Sequence, residues 1–364
     1  MRVKFRNKIL LVFALAFFLS PQASYALSQE VEEKIVAFDT KSQKEEFLDL
    51  RKLLKSSKMS QDKKARLYDL IERCERNIDR MIKIQETCKE NIRIKNQIRP
   101  HLQNRDSYFT VDIGKATSND SISKIFLEVA KEDDYFYYGQ YGSARLDTTY
   151  NPNKSKDSKT YIEKAKFDVK YRVDIDMEYA VNSFVRDWFS ENIDPSLTEY
   201  AKVQKIHDFI VKENFYNRGD SKEESGGISI YHPASILYGN GGVCNAYATL
   251  FDLMARQAGL KTRLITGKSL ENGEDHMWNM VKVMGSYYHI DTTWDDPIIN
   301  YREGYVENIG DFVIYDYFLK SDQEILKSRT INESNSRPKA TSNFPANPEN
   351  SRIEEVDGKY FVIN

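Results

Sequence analysis

Three residues far apart in the chain have the side-chain types needed to attack a carbonyl group. Cys244 follows Asn240-Gly241-Gly242-Val243 and opens a segment in which Tyr247, Leu250, Phe251, Met254 and Ala258 repeat at helical spacing, with Gly259 as the stop. A cysteine in the first turn of a helix sits at the positive end of the helix dipole, a position that favours a thiolate nucleophile. The two glycines let backbone and substrate approach closely, and the spacing to Tyr247 and Phe251 points the thiol to the buried face. A nucleophile needs a base. His276 opens a run to Val283 that reads as a strand, and Tyr287–Trp294, which carries Asp291, reads as the next. A two-residue turn at Met284-Gly285 sets Trp278 opposite Asp291 and leaves His276 and Asp291 diagonal on one face, roughly 7–8 Å apart at the backbone. A loop one residue longer would put them on opposite faces. Met284 suits a positive backbone dihedral poorly, so the turn type stays open. By the same parity Asp295 shares the face but lies beyond reach of His276.

Cysteine, histidine and aspartate in these roles form a nucleophile, a base and a group that orients the base. Cys244 would attack a carbonyl carbon, His276 would carry the thiol proton to the leaving amine, and Asp291 would fix the imidazole tautomer. The Cys244 amide is a natural oxyanion donor, with the Tyr231 or His232 side chain as a second candidate. Trp278 and Trp294 are candidates for aromatic walls of a dry cleft, which would favour amines over water. Each residue also has a structural reading: a buried thiol, a strand histidine, a turn carboxylate. Asp295-Asp296-Pro297 reads as a turn, and His207 and His289 as packing residues. No cofactor or metal is expected. The histidine spacings fit no ligand pattern, three cysteines are too few for a four-cysteine zinc site, and phosphate, dinucleotide and calcium motifs are missing from the sequence.

The elements around these residues fall into five stretches. Arg2, Lys4, Arg6 and Lys8, the apolar run Ile9–Leu19 and Ser24-Tyr25-Ala26 make a secretory signal peptide over 1–26, with cleavage expected after Ala26. The mature protein is therefore expected outside the cell. Residues 27–105 are charge-dense and free of glycine. Ser60 can cap a long helix in which Ile71, Cys74, Ile78, Met81, Gln85, Cys88 and Ile92 form a heptad-like seam, preceded by an amphipathic segment near Gln43–Leu54. This helical hairpin is expected to bind a protein partner, self-associate or pack on the next region. Residues 106–190 form a mixed region, with strands over Tyr108–Ile113, Asp134–Tyr141 and Tyr161–Val173, a helix over Ser121–Lys131 and another over Met177–Phe189. Residues 191–330 hold a helix at Leu197–Glu213 and the three chemical residues. The stretch 331–364 is a loop-like tail ending in a hairpin around Asp357-Gly358. Lys+Arg 53 against Asp+Glu 55 in 364 residues gives no basic surface for nucleic acid.

Gly241–Ala248, His276-Met277-Trp278-Asn279 and His289–Pro297, with Ile206–Ile210 upstream and Tyr317–Asp322 downstream, resemble the transglutaminase-like superfamily, and in particular its secreted bacterial members. The resemblance spans roughly 195–325; Ala246 departs from the glycine frequent in bacterial relatives. It implies an α+β, papain-like core in which the nucleophile helix packs on an antiparallel sheet; the helical hairpin and the mixed region that precede this core, read from composition and periodicity, lie outside the resemblance. It also implies thiol-mediated acyl transfer on peptide or glutamine amides, with a protein or peptide substrate from a host or a cell envelope. Two alternatives stay open: a cysteine protease or amidase using the same triad, and a binding or adhesion module without turnover.

Overall fold

A computed structural model describes residues 29–56, 61–155, 160–212, 216–217, 224–225, 227–239, 241–296, 298–300, 306–308, 313–332, 337–344, 352–356 and 359–363. The expected signal peptide and the Ser60 cap lie outside the described residues. By packing, the chain divides into two units, one of residues 1–132 and 144–169, the other of residues 133–143 and 170–364.

The first unit begins with α1 (Gln29–Val36), α2 (Thr40–Ser56) and the long α3 (Gln61–Gln103). Ile71, Ile78, Met81, Gln85 and Cys88 are buried along α3, as the seam requires. Beyond Cys88 the stripe passes through Asn91, Ile94, Lys95 and Ile98, leaving Ile92 half-buried. A straight helix of 3.6 residues per turn drifts away from a seven-residue repeat, and the buried stripe drifts with it. Polar groups on the stripe are matched: Gln85 Nε2 donates to the Ile35 and Phe38 carbonyls at 2.8 and 2.6 Å. Lys95 sits between Glu32 and Glu128, 2.8 Å from each. Cys74 lies in α3, but its side chain is outside the described residues. A three-stranded sheet follows in the order β1 (Tyr108–Ala116), β3 (Tyr161–Tyr171), β2 (Tyr141–Tyr150), with α4 (Asn119–Ala130) after β1. Phe109, Val111, Ala165 and Phe167 face inward from β1 and β3.

The strand expected over Asp134–Tyr141 is instead a π-helical turn, Phe136–Gln140, and the strand starts where that turn stops. Aromatic enrichment suggested a strand, but the buried positions are Tyr135 and Gly139, four apart, which is helical spacing. Asp133 Oδ1 accepts from the Tyr135 amide at 2.9 Å and starts the turn, while the Tyr135 hydroxyl donates to Glu178 Oε1 at 2.8 Å.

In the second unit, α5 (Ile175–Asn192), α6 (Glu199–Lys212), α7 (Pro233–Tyr238) and α8 (Cys244–Gln257) precede a four-stranded antiparallel sheet. Its order is β7 (Arg329–Ile331), β4 (Thr262–Ser269), β5 (Asp275–Val283), β6 (Ser286–Ile290), and α9 (Asp322–Ile325) lies between β6 and β7 in the chain. Tyr247, Leu250, Phe251 and Met254 of α8 pack with Val281 and Ile290 of the sheet and with Val203, Ile206 and Ile210 of α6. This is an α+β core with its cysteine-bearing helix on an antiparallel sheet. The β5–β6 register runs from Asn279 opposite Ile290 to Val283 opposite Ser286. Met284 and Gly285 both have positive φ, 50° and 85°, which makes the turn type I′. The Met284 amide donates to Glu199 Oε2 at 2.6 Å, which helps hold an otherwise unfavourable backbone.

Two expectations change at the end of this sheet. Strand β6 stops at Ile290 rather than running to Trp294, and residues 292–296 form turns. The tail is more than a surface crossing: Ala340 and Phe344 are buried, Phe344 stacking on Tyr200 at 5.0 Å. Arg352–Val356 and Lys359–Ile363 pair as the expected hairpin.

Candidate active site

Cys244 is the first residue of α8, and Val243 before it offers no side-chain cap. The glycines set its approach: Gly241 has φ +77°, and a Cβ on Gly242 would lie 2.7 Å from the Ala246 Cβ and 2.9 Å from Ser235 Oγ. Asn245 Nδ2 donates to the carbonyls of Tyr138 and Tyr231 at 2.6 and 2.7 Å, tying two flanking segments to the helix start. The Cys244 side chain is half-buried and packs against the cluster of Ala248, Leu264 and Met277, as Tyr138 also does. It therefore keeps some access to solvent instead of facing the core entirely.

His276 projects from β5, buried, with Nε2 2.7 Å from Asp291 Oδ2. Cys244 also interacts with this ring and favours its charged form. With Nε2 taken by Asp291, Nδ1 is the nitrogen left for the sulfur. Burial works against the charged imidazole, but the Asp291 carboxylate and Cys244 outweigh it and push the histidine up to about 9. Asp291 is fully buried, which alone would raise it. His276 and Arg329 overturn that and hold it well below the usual carboxylate range. Its other oxygen, Oδ1, accepts from the Thr293 and Trp294 amides at 3.1 and 3.2 Å. The structure thus brings all three sequence-predicted residues together, with His276 between sulfur and carboxylate.

The remaining candidates separate. Trp294 is half-buried and stacks on His276, ring centroids 4.9 Å apart. Trp278 is buried and its Nε1–H donates to His289 Nδ1 at 2.9 Å, so it supports His276 from the core instead of walling an open cleft. His232 caps α7: Nδ1 accepts from the Ala234 amide at 3.0 Å and Nε2 faces Glu178 at 2.9 Å. With both nitrogens engaged, its ring has no N–H left for an oxyanion, which corrects that candidate role. Tyr231 holds Asn245 through its carbonyl, and its ring lies under Arg172 at 5.0 Å.

Two features escaped the sequence reading. Asp295 does not share a strand face with Asp291, because the strand has ended. It is buried, with Oδ2 3.0 Å from His207 Nε2 and Oδ1 accepting from the Tyr317 amide at 2.8 Å. His207 in turn has Nδ1 3.1 Å from Asp208. Those carboxylates raise the buried His207 against the desolvation that would lower it, and burial pushes Asp295 up to about 6. Asp296, buried and pushed up to about 7, accepts from the Tyr247 hydroxyl. The second feature is Arg329, fully buried, whose Nη1 donates to Asp291 Oδ2. Among the described residues no group of His, Cys, Asp and Glu is arranged to hold a metal ion.

Residues 187–292 match the family model described as the transglutaminase-like superfamily. Kyphoscoliosis peptidase from Homo sapiens is 25% identical over 200 residues, covering 48% of this chain and 30% of the relative. The Mus musculus protein of the same name is 24% identical over 209 residues, covering 50% and 31%. The chain thus spans about a third of the length of these curated relatives. A solved structure described as a TGase overlaps with a TM-score of 0.28 at 13% identity, covering 44% of this chain and 47% of that one.

Proposed function

We propose that this chain, with its transglutaminase-like segment, is an acyl-transfer enzyme acting on peptide or glutamine amides through Cys244. The observation that carries the reading is His276 held through Nε2 by a buried, ionised Asp291, with its ring interacting with Cys244 at a helix start. In the first half-reaction the sulfur attacks the amide carbon. The Cys244 amide at the positive end of α8 steadies the oxyanion, and His276 Nδ1 delivers its proton to the departing nitrogen as the thioester forms. In the second, His276 takes a proton from the incoming nucleophile, which attacks the thioester and frees the sulfur. Asp291 keeps Nε2 protonated throughout.

An incoming amine makes the reaction a crosslinking or amine transfer; incoming water makes it a hydrolysis. The hydrolytic reading is favoured by the name of the curated relatives, which are called peptidases. The test is incorporation of a labelled primary amine into a glutamine-rich protein, run beside a peptide-cleavage assay, with Cys244→Ala as control. Amine incorporation that disappears in the variant supports transfer, and cleavage alone supports the peptidase. Neither product, or equal product from the variant, would sink the reading.

A further inference from the structure

Arg329 reaches the site from an edge strand, 38 residues beyond its partner Asp291. Three aromatic rings surround its guanidinium: Trp294 at 3.7 Å, Tyr317 at 4.6 Å and Trp278 at 4.9 Å from the guanidinium carbon. Its Nη2 is buried without a hydrogen-bond partner and its Nε makes only a long 3.4 Å hydrogen bond to Ser328 Oγ, so the rings and Asp291 are the main groups that hold the cation among the described residues. The strand that carries it comes close because residue 267 is glycine. A Cβ there would fall 1.8 Å from the Thr330 carbonyl oxygen and 2.9 Å from the Trp278 ring. Asp291 Oδ2 therefore receives two donors, His276 Nε2 and Arg329 Nη1.

We propose that Arg329 is a positioning residue that shares Asp291 with His276, fixing the carboxylate and moderating its hold on the imidazolium. The inference rests on the proposed acyl-transfer function. An arginine stays charged at every working pH, so Asp291 cannot become the proton's resting place. A carboxylate facing one cation would bind the imidazolium proton more tightly than one shared between two. His276 must release that proton to the leaving nitrogen, and the shared carboxylate keeps release feasible. The other charged groups around His276 are accounted for. Cys244 meets it from α8, Lys268 and Asp275 form an exposed pair on the adjoining strands, and His289 pairs with Asp322 and Arg337 behind Trp278. Across the turn, Asp295 is paired with His207.

The test follows the His276 ring carbon by NMR across pH in the full chain with labelled histidine, its signal assigned by its loss in His276→Gln. Arg329→Met keeps apolar bulk against the rings and removes the charge. It should raise the His276 midpoint by about one pH unit and lower kcat about 10-fold with KM little changed. Arg329→Lys retains a cation without the planar fork and should fall between wild type and Met. A Met variant whose midpoint stays put or falls overturns the proposal. If that variant does not fold, the Lys variant decides, and wild-type midpoint with wild-type kcat overturns it. The titration needs no substrate, so its failure leaves the acyl-transfer reading standing. Absence of product from the wild type would sink that reading without touching the titration.

Discussion

Asp291 answers to two cations, and that makes its replacement more than a catalytic lesion. Asp291→Asn should cut turnover roughly 10–1,000-fold, less than the ~10⁴ of a serine triad, because a thiolate–imidazolium pair can pre-exist. It also strands a buried guanidinium, which costs about 3–5 kcal/mol. Thermal melting with turnover checks both parts: Asp291→Asn combined with Arg329→Met should regain much of the lost stability and none of the turnover. His276 carries a pH signature of its own. Its folded value of about 9 lies above the ordinary 6.5, so its stabilising contribution is complete below about pH 6.5. That contribution, about 3 kcal/mol, is lost as pH rises toward 9. Melting temperature should fall across that window in the wild type and much less in His276→Gln. The thiols should also differ. Burial, with Glu32 nearby, pushes Cys88 up to about 11, whereas Cys244 is half-buried beside an imidazolium. Iodoacetamide near neutral pH should label Cys244 well before Cys88; equal rates would count against a reactive cysteine.

Among the elements, β7 depends on a glycine in its neighbour. Gly267→Ala places a methyl against the Thr330 carbonyl and the Trp278 ring, and overpacking of this kind costs about 1–3 kcal/mol. The variant should melt lower and lose turnover, because a displaced β7 withdraws Arg329; melting and activity unchanged together would contradict that dependence. The β5–β6 pairing was legible in advance because parity alone decides whether His276 and Asp291 share a face, and the turn at Met284-Gly285 kept the parity. The end of β6 was not legible. Thr292, Thr293 and Trp294 are good strand formers, and what stops the strand is Asp291 Oδ1 capturing the Thr293 and Trp294 amides. Nor was Arg329, one of two cations in Lys327-Ser328-Arg329-Thr330, whose carboxylate partner and rings come from other elements. His207 and Asp295, 88 residues apart, were read as packing and turn residues for the same reason. Local pattern reports periodicity; it does not report which distant charge fills a buried site.

For the whole molecule, the helices ahead of β1 carry none of the triad, yet they cannot be cut away cleanly. His101 of α3 stacks on Phe109 of β1 at 4.4 Å, and Ile94, Ile98 and Leu102 are buried in the same helix. A chain beginning at Asp106 should therefore aggregate or lose helical signal by size-exclusion chromatography and circular dichroism. A soluble, active product would show α3 to be dispensable. The chain passes between its two units three times, after residues 132, 143 and 169. The middle passage carries Tyr138, whose carbonyl receives the Asn245 amide beside the thiol. No single recombination junction can transfer the first unit whole without this passage. A descendant joined between residues 143 and 244 would therefore take Tyr138 from one parent and Asn245 from the other, and its nucleophile helix would meet one of its two anchoring carbonyls as a stranger.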